Sequence, residues 1–211
     1  MIVLINPNST ASMTTAMTET ARSAAPNARI EGWTSHDGPP AIQGADDGAR
    51  ATLPMLKLVR SASAQGARAI IIGCFDDTAL EDARAIANCP VVGIGQAAYH
   101  VAAMIGPQFS VVTTLGVSVP ILEQNITAYG LRHAVARVRA SEVPVLEIET
   151  NPDRAAEKIL SEIVDAAAHD NVQSVVLGCG GMVEIPARAA LQTKLPIVDG
   201  VRAAAACASI F

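Results

Sequence analysis

Residues 69–77 read AIIIGCFDD and residues 174–182 read SVVLGCGGM. In both stretches an apolar, β-branched run ends in a glycine and a cysteine follows at once. The two are Cys74 and Cys179, 105 positions apart (179 − 74). A thiol is an acid and its thiolate a base. A turn between strand and helix presents backbone N–H groups and the positive end of the helix dipole, which lower a thiol from its usual titration near about 8.5. Thiolate formation is therefore expected at both positions. Gly180 and Gly181 let backbone amides come close to a ligand. A buried cysteine can also be a small hydrophobe. That bland role suits Cys89, which precedes a proline, and Cys207, inside an alanine-rich helix.

A thiolate nucleophile usually works with a histidine. His36, His100, His133 and His169 lie in no comparable loop, so structural or exposed roles are expected for all four. Two matched thiols without a histidine suit another reaction. One thiolate removes a proton from carbon, and the other thiol returns a proton to the opposite face, which inverts a stereocentre. Proton removal beside a carbonyl leaves an enolate, which needs preorganised donors. NPNST (6–10), Thr113–Thr114 and the amides of Phe75, Asp76, Gly180 and Gly181 could supply them.

These residues must be held by alternating strands and helices. Strand-like runs fall at 2–5, 29–33, 69–73, 91–94, 109–113, 145–148 (or the earlier AVARVR), 174–178 and 196–199. Helix-like segments fill 10–25, 44–66, 78–88, 96–105, 117–130, 152–170 and 200–210. Such alternation implies βαβ units and parallel sheets. Pro54 predicts a kink or break in the second helical segment. The halves read as copies: besides the cysteines, PVVGIGQAAYHVAAMI starts at Pro90 and PIVDGVRAAAACASIF at Pro196, 106 later (196 − 90). Duplication implies two four-stranded lobes about a pseudo-twofold axis. Ligands bind such sheets at the carboxyl ends of the strands, so the cysteines should face each other across a cleft. Asp76 and Asp77 resemble a metal pair but are expected to cap the helix that follows. GIGQAA (93–98) lacks the third glycine of a dinucleotide site.

Composition narrows the classes. The chain has 211 residues, 50% hydrophobic, 17% charged and 3% aromatic, with a formal net charge of −5. No basic run suggests nucleic acid, and no apolar stretch approaches the roughly 20 residues of a membrane span. The opening MIVLINPNST does not read as a leader, so a cytoplasmic protein with free thiols is expected. Cysteine and histidine spacings fit no zinc pattern.

INPNST, GCFDD, VVGIGQAA, FSVVTTL, VPILEQNI, VLGCGGM and PIVDGV, in this order over nearly the whole chain, resemble the hydantoin and allantoin racemases of the aspartate/glutamate racemase superfamily. The resemblance implies cofactor-independent two-base racemisation, with no cofactor and no metal. It implies an α/β fold of two flavodoxin-like lobes, residues 1–97 plus 200–211 and residues 98–199, with the last helix crossing back to the first. The family's catalytic cysteines map onto Cys74 and Cys179. Its substrate-anchoring loops map onto Asn6, Asn8 and Ser9, Phe75 and Asp76, Thr113 and Thr114, and Gly180 and Gly181. The sequence departs from the family at Thr78-Ala79, where Pro-Gly is common, and at Gly180, where alanine is common. Both departures lie at the pocket and bear on substrate more than on chemistry. The Gly-Cys turns carry no Arg or Lys, which favours a neutral cyclic ureide. Aspartate or glutamate racemisation, maleate cis–trans isomerisation and a non-catalytic two-lobed binding protein are the alternatives. A homo-oligomer is expected, with no nucleic-acid or membrane partner.

Overall fold

A computed structural model of all 211 residues shows two parallel four-stranded sheets, each flanked by helices. The first half runs β1 (Ile2–Asn6), α1 (Ala11–Ala24), β2 (Ile30–Thr34), α2 (Ala45–Ala64), β3 (Ala69–Ile72), α3 (Leu80–Ile86), β4 (Val91–Gly93) and α4 (Ile94–Ile105). The second runs β5 (Phe109–Thr113), α5 (Val119–Ala128), β6 (Val135–Ala140), α6 (Glu147–Thr150), α7 (Pro152–His169), β7 (Ser174–Gly178), α8 (Ile185–Ala189), β8 (Ile197–Asp199) and α9 (Gly200–Ala208). The sheet orders are β2-β1-β3-β4 and β6-β5-β7-β8, so the halves share one topology. Every residue of the central strands β1, β3, β5 and β7 is buried. This is why they read as continuous apolar runs: helices cover both faces of a parallel sheet.

The last helices of the two halves are exchanged. α4 leaves the first sheet and packs against β7 and β8, while α9 leaves the second and packs against α1, β3 and β4. They also pack on each other, and Gly200 sits so close to the carbonyl of Ile94 that any side chain there would collide. No helix is long and apolar enough to cross a membrane.

Three expectations are corrected. The segment 145–148 forms no strand; the earlier AVARVR supplies β6, and Glu147–Thr150 is a short helix. Pro54 does not break α2, which runs from Ala45 to Ala64. Its buried face of Ala51, Met55, Val59 and Ala62 outweighs the one backbone hydrogen bond that proline cannot donate. Asp77 does not cap α3, which begins at Leu80 without a side-chain cap. Its carboxylate instead accepts from the amides of Gly95 (3.0 Å) and Gln96 (2.7 Å), capping α4.

Candidate active site

In each sheet the chain steps outward from the first strand to the second, then crosses back to the third. The gaps at β1/β3 and β5/β7 are thus the topological switch points where open α/β sheets bind ligands. Residues after β1 and β3 of one half and after β5 and β7 of the other meet in one cavity. Cys74, Phe75 and Asp76 line it from the first half; Cys179, Gly180 and Gly181 line it from the second. Asn8 and Thr114 complete the predicted set found there. The two Gly-Cys turns touch. A methyl group built on Gly180 would lie 3.2 Å from the Gly73 carbonyl oxygen and 2.8 Å from Met17 Sδ. Glycine at position 180 therefore makes room for Met17.

Three predicted residues do not reach the lining. Asn6 is fully buried, and its amide donates to Asn8 Oδ1 (2.8 Å) and Thr14 Oγ1 (3.0 Å), so it holds Asn8 in place. Asn8 Oδ1 also accepts from the amide of Thr10 (2.9 Å). With its oxygen engaged, the Asn8 NH2 group is left as a donor, with only a long contact to Met13 Sδ (3.6 Å). Ser9 donates its backbone N–H to the Pro39 carbonyl (2.9 Å). Thr113 Oγ1 donates to the Gly178 carbonyl (2.9 Å), tying β5 to β7 behind Cys179. Sequence reasoning missed Met13, Met17, Ile42, Ser118 and Val145, which also line the cavity. Ser118 carried a signal, since it lies just beyond the Thr113–Thr114 strand end. The apolar four come from helix and connection positions with no chemical mark.

The expected acidification of the thiols is not what the site shows. The helices after the two turns begin only at Leu80 and Ile185, too far along to present their N-termini to Cys74 and Cys179. Burial pushes both thiols up, Cys179 to about 11 and Cys74 further still. The charge of Asp76 adds to the rise at both. Three donors pull the other way: Thr78 Oγ1 (3.4 Å) and the Asp76 amide at Cys74 Sγ, and the Gly181 amide at Cys179 Sγ (3.4 Å). Asp76 itself is raised to about 7, by burial first and by the neighbouring Asp77 second. It is the only charged side chain in the lining. No cluster of three or more His, Cys, Asp and Glu that could hold a metal is present.

The turn bearing Cys74 is held from the other half. Asn125 Nδ2 donates to the Asp76 carbonyl (2.8 Å), and Tyr129 OH donates to Asp77 Oδ2 (2.8 Å). Phe75 packs edge-on against Tyr99 with ring centres 5.3 Å apart. Both Asp77 and Ala79 sit at φ +48°, the left-handed region that favours glycine.

Residues 2–208 match the sequence model of the family described as Asp/Glu/Hydantoin racemase. A hydantoin racemase of Rhizobium meliloti is 44% identical over 204 residues, 96% of this chain and 85% of that protein. The allantoin racemase structure from Klebsiella pneumoniae is 34% identical, with a TM-score of 0.95 over 99% of this chain and 86% of that one. A glutamate racemase structure from Francisella tularensis subsp. tularensis SCHU S4, 17% identical over 97% of this chain and 77% of that one, has a TM-score of 0.71 and shares the fold.

Proposed function

The chain belongs to the Asp/Glu/hydantoin racemase family, and we propose that it racemises a neutral five-membered cyclic ureide by two-base proton transfer between Cys74 and Cys179. The observation that carries this reading is the single cavity lined by both thiols, with the two Gly-Cys turns in contact. One sulfur, as thiolate, takes the hydrogen of the ring stereocentre. The C–H electron pair passes into the adjacent carbonyl as an enolate. The other thiol then protonates the carbon from the opposite face and is left as the thiolate. One negative charge moves from sulfur to sulfur, and nothing is oxidised or reduced. The Asn8 amide and the hydroxyl-bearing Thr114 and Ser118 are the side-chain donors that the lining offers to the developing enolate. A dicarboxylic amino acid would meet Asp76 and no cation in this lining, which favours a neutral ring over aspartate, glutamate or maleate.

Racemisation followed by circular dichroism from either enantiomer tests the substrate class, with L-aspartate as the competing substrate. Cys74→Ser and Cys179→Ser should each lower racemisation in both directions by about 10²- to 10⁴-fold, the usual contribution of a positioned acid or base. In heavy water each variant should still exchange the hydrogen of the enantiomer served by the remaining thiol, with opposite preferences in the two variants. Equal exchange of both enantiomers by both variants, after correction for spontaneous exchange, would rule the two thiols out as the two bases. The same reading includes a homo-oligomer, seen as a light-scattering mass that is a multiple of the 21.8 kDa chain.

A further inference from the structure

Two side cavities flank the central one, and the duplication relates them. One lies between the turn after β3, the N-terminal part of α2 and α5 of the other half. The other lies between the turn after β7, the N-terminal part of α7 and α1 of the other half. Element by element these are equivalent positions, yet their chemistry has diverged. The first has three apolar residues among ten and shares Asp76 with the central cavity. The second, of about 190 Å³, has eight apolar residues among thirteen, including Ala16, Ile148, Ala155 and Ile159. It shares Met13 and Gly181 with the central cavity.

Gly181 is the doorway. A methyl group built on it would lie 3.7 Å from Cys179 Sγ on one side and 3.6 Å from Ile148 Cδ1 on the other. The thiol and the apolar cavity are thus one small side chain apart. A substituent on the carbon that exchanges its proton starts one bond from the atom whose hydrogen the sulfur takes, and this doorway gives it an apolar place to go. At the outer rim Glu149 accepts from Ser12 Oγ (2.8 Å) and Arg188 pairs with Asp153 (2.9 Å), while the Glu184 side chain is exposed.

We propose that the cavity bounded by Ile148, Ala16 and Ile159 is the substituent subsite, and that the preferred substrates are hydantoins with an aliphatic 5-substituent rather than allantoin. The proposal rests on the cyclic-ureide reading above. The comparison is clean because an isobutyl group and the ureido group of allantoin have the same number and branching of non-hydrogen atoms. Only the ureido group carries donors and an acceptor that an apolar lining leaves unpaired.

The test is kcat/KM across 5-methyl-, 5-ethyl-, 5-isopropyl- and 5-isobutylhydantoin and allantoin. The value should rise by up to about four-fold per added methylene, the fold-change equivalent to about 0.8 kcal/mol of apolar burial. Allantoin should fall at least ten-fold below 5-isobutylhydantoin. Ala16→Phe, at the partly exposed wall of the cavity, should lower the isobutyl-to-methyl ratio at least ten-fold. Ile148→Ala, which removes bulk instead, should raise the ratio for substituents larger than isobutyl, such as benzyl. Racemisation with a flat series, with allantoin preferred, or with ratios unmoved in both variants overturns the subsite alone. Failure to racemise any cyclic ureide overturns the subsite together with the reading it rests on.

Discussion

Ionising Asp76 makes both thiols harder to ionise, and this couples three groups in one cavity. A two-base reaction needs one thiolate at a time, and an ionised Asp76 opposes its formation. Asp76→Asn removes the carboxylate while keeping its shape. The pH profile of iodoacetamide alkylation, read at each cysteine by mass spectrometry, should then move to lower pH, more at Cys74, where Asp76 is the second-largest cause, than at Cys179, where it is the smallest. An unmoved profile would mean that burial alone sets the thiols. The same substitution bears on stability. The carboxyl of Asp76 is raised from 3.8 to about 7, so between those values the native chain keeps a proton that the unfolded chain has lost. Its contribution is most favourable below pH 3.8 and is lost as pH rises through 7. Asp76→Asn should therefore show a smaller fall in Tm across that window. At this scale the thiols were legible because Gly-Cys after an apolar strand recurs at one offset. Their raised pKa was not legible, because it depends on where the following helices begin and on how deeply the turns are buried.

The turn that carries Cys74 owes its shape to elements remote in sequence. Asp77 caps α4, which starts 17 residues later (94 − 77), and receives the OH of Tyr129, the residue that ends α5. A sequence reader sees a carboxylate just before a helix and assigns it to that helix. The assignment fails because the chain bends through left-handed positions at Asp77 and Ala79 and aims the side chain at the neighbouring helix. The run 145–148 misled in a similar way. Val145 faces the active-site cavity and Ile148 lines the cavity beside it, while Leu146 is exposed, and none of them pairs to a strand. Tyr129→Phe tests the clamp on the turn. It keeps the ring against Tyr99 and deletes one of three hydrogen bonds to a buried carboxylate. Urea unfolding should show a loss of about 1–3 kcal/mol. A loss within experimental error would show that the two α4 amides suffice to hold Asp77.

At the scale of the molecule, the repeat was legible in the residues themselves, whereas the crossing of the last helix back to the first half was expected from the family resemblance alone. The offset of 105–106 residues follows from two copies of one βα layout, and the identical sheet orders bear it out. That α4 packs against β7 and β8 leaves no mark in the sequence, since an alanine-rich helix fits either sheet. Duplication has a consequence for turnover. The central cavity holds about 30 Å³, room for roughly one water. A hydantoin ring with its two carbonyl oxygens has seven non-hydrogen atoms, so entry is expected to require the halves to separate. Two of the contacts that then break are Ser12 Oγ of α1 to Glu149 Oε2 of α6 and the Val145 N–H to Gln43 Oε1, each 2.8 Å and each bridging the two halves; the first joins two surface side chains. Both side chains are exposed, so the pair can be replaced without touching the core. The double variant Ser12→Cys/Glu149→Cys, once oxidised and shown by mass spectrometry to carry the cross-link, should lose most of its turnover and regain it with a reductant. Wild type taken through the same oxidation is the necessary control, because Cys74 and Cys179 are themselves free thiols. Full turnover by the cross-linked protein would show that substrate enters without separation of α1 from α6. Loss of turnover in the control as well would place the effect on the active-site thiols instead.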